Sequence, residues 1–504
     1  MSFTESPKTD RNHLSNRLEL LIIPGRSLGP FRLGSSLWDT IQLLKDRPHY
    51  FSTVELKYSQ EEPIKYDFII ALPLNGINLR FDGSSQRMKS IECFDPSKVK
   101  LTYQNSDVSS DRSIPTFLQI YRSFGPTYPG EFDWERSIYT LKYPGLAFTF
   151  PIPARHKNLY KSSTDLPLEL PDGTTPIASR VYLYTGNSQW QKATVPSFPK
   201  VIAEHNASTS LRYGRMGRRE AESIKAKLGK GISIFFPNYD KSNGSSRESQ
   251  GAFSTTKVDI LLHVSTTQEI LADLGKPSRV FYKEEDKMKI HSNVAEDVIT
   301  SKGIAGKASS NGGKNNGDNG NSNKATTHNT SSADDEEKES TAVQLTDYFL
   351  NYYHLGIDIL IDGSKHTCKK IVLHANIPGH YDFQRYKRCP YQIHFGKKNE
   401  HIKKEKTNVL VDVDTDQPPE LVAPNVITGD MKISTMQKRI PWKAKGAVNA
   451  EKLNGASAEQ SKPVILTRGS SEQNPFGSTY LIGYDEGLVM EVMKNGHVPT
   501  IVLF

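Results

Sequence analysis

The feature that most constrains the fold is a glycine followed by alternating apolar residues, a pattern that occurs four times along the chain. In residues 355–376, Gly356 precedes three isoleucines at alternate positions, and an Asp-Gly pair follows them. Period-two spacing is typical of a β-strand with one buried face, and Asp-Gly is typical of a hairpin turn. With a returning apolar run at 370–374, the pattern predicts an antiparallel hairpin.

The same pattern begins at Gly76, Gly145 and Gly487. The copies at Gly76 and Gly356 share a 15-residue distance from the glycine to an isoleucine of the returning strand. At Gly145 the hairpin loop is longer, and the returning strand is predicted at 181–185. Short alternation also arises by chance, but shared positions of glycine, apolar residues and turn favour repetition. One unit has too few strands to bury both its faces, so the units must pack against helices or one another.

A short helix is predicted at the start of each unit. Ser36 and Asp39 form a capping-box pattern ahead of apolar residues at helical spacing, and so do Thr266 and the glutamate three residues later. Thr116 is the predicted cap of another helix, which ends at a Gly-Pro pair. The sequence therefore predicts an α+β fold of about four tandem units, each a helix plus an antiparallel sheet, with disordered inserts.

At 504 residues the chain is too long for a single core. We predict a disordered tail at 1–16, unit 1 at 17–105, unit 2 at 112–190, a basic linker region at 191–250, unit 3 at 255–396, a linker at 397–460 and unit 4 at 461–504. Unit 3 contains an insert at 295–342 that is rich in Ser, Asn, Gly and charged residues. It is predicted to be disordered, because such a composition buries too little apolar surface to fold.

The sequence indicates a cytosolic protein. Its amino terminus lacks the apolar core of a secretory signal, and no apolar run approaches the roughly 20 residues that span a bilayer. The three cysteines, Cys93, Cys368 and Cys389, are widely spaced and odd in number. This favours reduced thiols over a disulfide framework or a metal knuckle.

The densest basic stretch, at 212–230, is the candidate for electrostatic binding. Its candidate contacts with acidic lipid are Arg212, Arg215, Arg218 and Arg219. Such residues attract the phosphate groups of a membrane or a nucleic acid. A solvated helix or linker face explains the same charge, and we expect no nucleic acid partner.

The commonest enzyme signatures are missing from the sequence, which contains no phosphate loop, no HExxH or GxGxxG pattern, and no GxSxG elbow between a predicted strand and a predicted helix. His374 and His380 with Tyr381 form the densest polar cluster, but a metal site would require a third donor that the local sequence does not supply. We interpret them as hydrogen-bonding residues. We therefore predict no catalytic residues, no cofactor and no metal site.

Two carboxylates remain as a possible exception. Asp358 and Asp362 lie on the polar face of one predicted strand, a placement in which paired carboxylates serve in acid–base catalysis. A solvated sheet face explains them equally well. An enzyme with an unfamiliar site therefore stays as a third hypothesis.

Several longer stretches resemble one known family. They are residues 281–292 (FYKEEDKMKIHS), 474–479 (NPFGST), 123–130 (SFGPTYPG) and 184–188 (YTGNS). With them the chain resembles the phagosome (phagophore) assembly factor 1 family, also called Mytho. The resemblance covers most of the chain, and the segments at 301–340 and 401–460 look longer than in the family's animal members.

The resemblance implies a non-enzymatic cytosolic autophagy factor that is recruited to the preautophagosomal structure. It implies a β-propeller partner of the breast-carcinoma-amplified-sequence type. Membrane association would be indirect, because recognition of phosphatidylinositol 3-phosphate belongs mainly to the propeller. It offers no catalytic residues to carry over. Older descriptions of the family imply a Golgi-associated factor in vesicle traffic.

We therefore interpret the chain first as a scaffold or adaptor. Lys287, Lys289 and Phe476 are the candidate partner contacts, since an exposed aromatic residue beside small residues is a typical anchor. A turn that fixes the last unit is the alternative explanation for the loop of Phe476. Direct binding of acidic lipid through residues 212–230 is the second hypothesis.

Overall fold

The structure is a computed structural model. It describes residues 17–126, 130–160, 169–186, 189–197, 220–238, 254–283, 346–395, 425–440, 464–466, 477–484 and 486–504. We refer to residues 17–197 as the amino-terminal half and to residues 220–504 as the carboxy-terminal half. The predicted tail at 1–16 and the insert at 295–342 lie outside the described residues.

The amino-terminal half contains thirteen described strands and two α-helices. In chain order they are β1 (Glu19–Ile23), β2 (Ser27–Leu28), β3 (Phe31–Arg32), α1 (Leu37–Lys45), β4 (Glu55–Lys57), β5 (Phe68–Leu72), β6 (Ile77–Phe81), β7 (Met88–Cys93), β8 (Lys100–Tyr103), β9 (Ser106–Ser109), α2 (Phe117–Phe124), β10 (Glu131–Asp133), β11 (Ile138–Tyr143), β12 (Leu146–Pro151) and β13 (Arg180–Tyr184).

The carboxy-terminal half again contains thirteen described strands and two α-helices. They are β14 (Ser223–Lys227), β15 (Gly231–Asn238), β16 (Ser254–Leu261), α3 (Thr267–Leu274), β17 (Arg279–Tyr282), β18 (Tyr348–Tyr352), β19 (Ile357–Ile361), β20 (Cys368–His374), β21 (Tyr391–His394), β22 (Val426–Thr428), α4 (Ile433–Arg439), β23 (Val464–Leu466), β24 (Thr479–Tyr484), β25 (Leu488–Val492) and β26 (Thr500–Leu503). The fold is therefore mainly β with some short helices, which refines the predicted α+β class.

Each half contributes one eight-stranded antiparallel sheet. Sheet B of the amino-terminal half has the order β10-β11-β12-β13-β7-β6-β5-β4, and sheet D of the other half has the order β17-β18-β19-β20-β26-β25-β24-β23. In both sheets, two four-stranded meanders join side by side through their last strands, at Leu183↔Ile91 and at Leu373↔Ile501. Within each sheet, the two meanders provide each other with the neighbouring strand that one meander alone lacks.

Each half also contributes one five-stranded sheet that the sequence analysis missed. Sheet A has the order β3-β2-β1-β8-β9, and sheet C has the order β16-β15-β14-β21-β22. Each contains one parallel pair, β1 with β8 and β14 with β21. Strands β14 and β15 lie inside the predicted linker region at 191–250, so that prediction is wrong for residues 223–238. The β14–β15 hairpin is local, since it pairs Lys227 with Gly231, and the sequence analysis overlooked its alternating apolar residues. Only the two parallel pairs join segments that lie too far apart in sequence for local periodicity to reveal them.

The four glycines of the sequence pattern occupy equivalent places. Gly76, Gly145, Gly356 and Gly487 each lie directly before the third strand of a meander, with φ of 66°, 75°, 71° and 82°. A Cβ atom at any of them would lie within 2.7 Å of backbone atoms. Glycine is required there both for the left-handed conformation and for space.

The helices begin where the capping patterns predicted. Ser36 caps α1 by accepting from the Asp39 backbone N–H at 3.1 Å, and Thr116 caps α2 by accepting from Gln119 at 3.2 Å. Thr266 and Glu269 form the predicted capping box on α3. Glycine ends α2 and α3, as predicted.

The apolar core has two main parts, one for each half. Sheet and helix residues such as Phe81 and Phe148 are fully buried in the first, and Ile359 and Met490 are fully buried in the second. Strands such as β6 alternate between buried and partly exposed residues, as expected where one face of the sheet packs on the core, whereas β19 is buried along its whole length.

Candidate functional site at the junction of the two halves

The residues that the sequence analysis proposed as contacts fall outside the described residues. They are Arg212, Arg215, Arg218, Arg219, Lys287, Lys289 and Phe476. As contacts they stay predictions. Asp358, Asp362, His374 and His380, by contrast, lie within the described residues, and the structure places each in a defined setting.

Asp358 lies at the centre of a buried hydrogen-bonded cluster. Its carboxylate accepts from the Asn351 amide at 2.7 Å and from the Tyr386 hydroxyl at 2.7 Å, and it lies 2.9 Å from His374 Nε2. The rings of His374 and Tyr386 are stacked with centroids 3.6 Å apart. Burial, followed by the Asp358 carboxylate, raises the pKa of the Tyr386 hydroxyl. The cluster satisfies a buried carboxylate, and Asp358 is not on the solvated face that the sequence analysis considered.

Asp362 serves a different purpose from Asp358. Its Oδ1 accepts from the Ser364 hydroxyl at 2.7 Å and from the backbone N–H groups of Ser364 and Lys365, both at 3.0 Å. These hydrogen bonds, led by that of the Ser364 hydroxyl, lower the pKa of Asp362 to about 2. This carboxylate fixes the hairpin turn between β19 and β20. The two aspartates therefore do not work as a pair.

The two histidines of the predicted polar cluster have different partners. His374 contacts Asp358, whereas His380 Nε2 lies 3.2 Å from Glu491 Oε1, which also accepts from Thr479 at 2.7 Å. His380 Nδ1 accepts from the backbone N–H of Asp382 at 3.3 Å, so Nε2 is the nitrogen that donates to Glu491. Among the described residues, no group of three His, Cys, Asp or Glu side chains could hold a metal ion.

The main polar site lies at the junction of the two halves. At this junction each half also contributes an apolar side chain to the core of the other. Ile64 of the amino-terminal half is buried in the core of the carboxy-terminal half. Phe383 of the carboxy-terminal half packs against the core of the other. Trp38 Nε1 donates to the Arg385 carbonyl at 3.1 Å. The halves are thus fastened from both sides.

A buried ion cluster crosses the same junction. Glu220, at the start of the carboxy-terminal half, forms an ion pair with Arg87, the residue directly before β7, and another with Lys387 at 2.8 Å. Lys387 also lies 3.3 Å from Asp39, which is in the first turn of α1 and accepts from the Ser36 hydroxyl. Arg87 Nη1 donates to the Gly34 carbonyl at 3.0 Å. The side chains of Glu220, Arg87 and Lys387 are only 13–15% exposed.

The charges of this cluster hold each other ionised. Burial alone would raise the pKa of Glu220, but Lys387 and then Arg87 outweigh it and lower that pKa to about 2. Burial alone would lower the pKa of Lys387, but Asp39 and Glu220 raise it above its ordinary value. Both groups are therefore fixed in their charged forms near neutral pH. That is unfavourable for general acid–base catalysis, which needs a pKa near the working pH.

Neutral and charged pairs extend the junction on either side. Gln86 and Asn376, both buried, exchange two hydrogen bonds, of 2.5 Å to the Asn376 carbonyl and 2.8 Å between the side chains. Farther along, Lys432 lies 2.5 Å from Glu62 and lowers its pKa through that hydrogen bond. Each of these contacts joins a residue of one half to a residue of the other, so they help to hold the two halves together.

A cavity of about 330 Å³ opens at this junction. Its charged lining includes Arg87, Glu220, Lys387, Arg388 and Asp430. Arg388 forms an ion pair with Asp430 at 2.8 Å, and Arg87 and Lys387 share Glu220, so each of these five side chains has a partner of opposite charge. The lining thus has a mixed charge, and the arrangement stabilises the junction.

Comparison with known proteins now identifies the group to which this fold belongs. The family described as "Phagosome assembly factor 1" matches residues 27–303 and 323–504, which include both halves and their junction. The chain belongs to the phagosome assembly factor 1 family.

Relatives in the phagosome assembly factor 1 family come from plants and animals. A PHAF1 protein of Arabidopsis thaliana is 30% identical over 95% of this chain and 92% of its own length. One of Drosophila melanogaster is 30% identical over 97% of this chain and 94% of its own. One of Caenorhabditis elegans is 26% identical over 99% of this chain and 97% of its own. No solved structure matches the chain.

Two further findings bear on the site. No helix in the described ranges is long and apolar enough to cross a membrane. Sequence reasoning missed the junction, since Arg87, Glu220 and Lys387 come from three distant segments. The one available signal was Glu220, an acidic residue inside the basic stretch at 212–230.

Proposed function

We propose that this protein is a non-enzymatic scaffold or adaptor in autophagy that acts with a β-propeller partner at the phagophore assembly site. Membership in the phagosome assembly factor 1 family supports a role in phagosome assembly. The ion cluster of Glu220, Arg87 and Lys387 supports the non-enzymatic part. Its groups are fixed in their charged forms, so they fasten the two halves and are poorly suited to moving protons.

Four copies of one module would give such a scaffold its surfaces. The residues Ser36, Thr116, Thr266 and Lys432, at the N-terminal caps of the four helices, each form a β-bridge to a residue shortly before the last strand of a meander. Together with the four equivalent glycines, this geometry supports four tandem units, and the bridge from Lys432 to His497 assigns α4 to the fourth unit, which therefore begins before residue 461. Repeated units leave several similar loops and sheet edges on one body, which suits simultaneous docking.

Recruitment to membrane would be indirect in this proposal. The propeller supplies recognition of phosphatidylinositol 3-phosphate, and Lys287, Lys289 and Phe476 contribute contacts with the propeller. The protein is then cytoplasmic in fed cells and concentrates at the phagophore during starvation.

Affinity capture of the tagged full chain from fed and starved cells tests the proposal. We expect a β-propeller protein to be enriched with the natural chain. We expect the Lys287→Ala/Lys289→Ala/Phe476→Ala variant to capture much less of that protein. Lys192→Ala/Lys230→Ala/Leu74→Ala is the matched control, since it removes two exposed lysines and one exposed apolar side chain elsewhere. Absence of any propeller protein under both conditions would overturn the adaptor proposal.

Direct binding of acidic lipid through residues 212–230 is the alternative, together with a role in vesicle traffic at the Golgi. Sedimentation with liposomes containing phosphatidylinositol 3-phosphate separates it from the adaptor. Electrostatic binding should weaken steeply with salt and be lost when Arg212, Arg215, Arg218 and Arg219 are changed to Gln. Strong liposome binding by the purified chain alone would favour this alternative.

A further inference from the structure

Within the described residues, each eight-stranded sheet ends in two edge strands, β10 and β4 in sheet B and β17 and β23 in sheet D. Strand β10 pairs with β11 alone at one edge of sheet B. Strand β17 pairs with β18 alone at one edge of sheet D. An open edge presents backbone N–H and C=O groups that can pair with another strand.

The two edges carry opposite charge. The β10 segment includes Glu131, Asp133 and Glu135 within five residues. Residues 276–283, which contain β17, include Lys276, Arg279 and Lys283 and no acidic residue, and Glu284, Glu285 and Asp286 follow them outside the described residues. Edge strands are commonly protected by charge, but protection alone does not require one edge to be acidic and the other basic. Opposite signs favour contact between them.

The faces of the two strands also match. Phe132 of β10 pairs with buried Tyr139 and so points to the core face, which leaves Glu131 and Asp133 on the outer face. In β17, Val280 pairs with buried Leu350 and points to the core face. The alternation then places Arg279 on the outer face. Joining the strands would bring acidic and basic outer faces together and apolar inner faces together.

A groove beside β17 offers room for aromatic side chains from β10. It has a volume of about 680 Å³ and is lined in part by Leu271 of α3, Val280, Tyr282 and Tyr348. Val280 and Tyr282 are 43% and 52% exposed. Trp134, which follows β10 and contacts the Phe132 ring at 5.3 Å, is 38% exposed. An exposed indole and a neighbouring apolar groove are a typical anchor and pocket.

We propose that β10 of one copy of this chain pairs with β17 of a second copy, with Trp134 seated in the groove beside α3. Glu131 lies 2.5 Å from Lys142, and Asp133 lies 3.9 Å from Arg136. Such exposed pairs contribute little to stability, so these carboxylates can exchange partners at small cost. Each copy has one acidic and one basic edge. The contact is therefore head-to-tail, and it produces chains or closed rings of copies. This proposal does not depend on the propeller partner.

Analytical ultracentrifugation of the purified full chain tests it. We expect the average mass to rise above the 56.5 kDa of one copy as concentration increases. The rise should be smaller in about 0.5 M salt, where exposed charges are screened within a few ångströms. A chain that stays at the mass of one copy at every concentration overturns the proposal.

Charge reversal identifies the edges. Lys276→Glu/Arg279→Glu/Lys283→Glu makes both edges acidic, and Glu131→Lys/Asp133→Lys/Glu135→Lys makes both edges basic. Each variant alone should stay a single copy, and an equal mixture of the two should associate again, because acidic edges then meet basic ones. Recovery in the mixture also shows that both variants are folded.

Arg112→Glu/Lys192→Glu/Lys230→Glu is the matched control, since it reverses three exposed basic residues away from both edges. It should associate like the natural chain. Two results would contradict the proposed pairing: reversal variants that associate as well as the control, or folded variants that fail to associate when mixed.

Discussion

Replacing Glu220 by Gln tests the junction most sharply, because Gln has the size of Glu and resembles its protonated form. In the natural chain, Lys387 and Arg87 lower the pKa of Glu220 from 4.5 to about 2. A carboxylate with a depressed pKa adds stability that is complete above its ordinary pKa and is lost as pH falls through the folded-state value.

The pKa shift sets the size of the effect. A difference of about 2.5 pKa units corresponds to about 3 kcal/mol at pH 7, at roughly 1.4 kcal/mol for each unit. At pH 3, where Glu220 stays mostly ionised in the closed junction and is protonated in the open one, about 1 kcal/mol remains. The difference between the natural chain and Glu220→Gln should therefore shrink on acidification. Lys387 keeps Asp39 and Arg87 keeps the Gly34 carbonyl in both proteins, so their contributions largely cancel.

Amide hydrogen exchange by mass spectrometry measures the opening of the junction directly, through peptides that contain residues 220–227 and 385–391. We expect protection in Glu220→Gln to fall roughly a hundredfold at pH 7 and roughly tenfold at pH 3. Glu222→Gln, which removes an exposed carboxylate two residues away, should change protection less than about threefold. Equal protection in Glu220→Gln and the natural chain, or a loss that does not depend on pH, would refute the reasoning.

Three further predictions concern stability and reactivity. Gly356→Ala should destabilise the folded protein by several kcal/mol, because the new Cβ would lie 2.2 Å from the Lys387 carbonyl oxygen. Gly173 has a similar φ and open space around it, so Gly173→Ala should cost only about 1–2 kcal/mol. Thermal unfolding of the two variants compares these costs. Asp358→Asn should destabilise by about 2–4 kcal/mol, measured by urea unfolding, and a cost below about 0.5 kcal/mol would contradict its structural role. Burial raises the pKa of Cys93 and of Cys368 to about 12, so a thiol reagent at pH 7.5 should label them only after denaturant is added, and rapid labelling of the folded chain would show that they are accessible.

Local patterns in the sequence predicted the parts of the fold that local forces determine. The cap at Ser36 and the capping box at Thr266 are chosen by residues three positions apart, so the starts of α1 and α3 were predicted correctly. The hairpin at Gly356 was predicted because a left-handed glycine and period-two alternation leave clear traces in sequence.

Distant pairing explains what the sequence analysis missed. The parallel pair of β1 and β8 joins Glu19 with Lys100, and the amide pair of the junction joins Gln86 with Asn376. No periodicity links such positions. The ion cluster at the junction is built almost wholly from such distant contacts. None of its residues was therefore among those proposed from local charge and exposure.

The central claim is that the chain is a docking scaffold for a β-propeller protein. The most direct test measures binding between the purified full chain and the purified propeller of the breast-carcinoma-amplified-sequence type by isothermal titration calorimetry. The account predicts saturable binding with a defined stoichiometry, which Lys287→Ala/Lys289→Ala/Phe476→Ala weakens at least about tenfold, a change of about 1.4 kcal/mol. No detectable binding up to about 100 μM, which corresponds to an association weaker than about 5.5 kcal/mol, would contradict it.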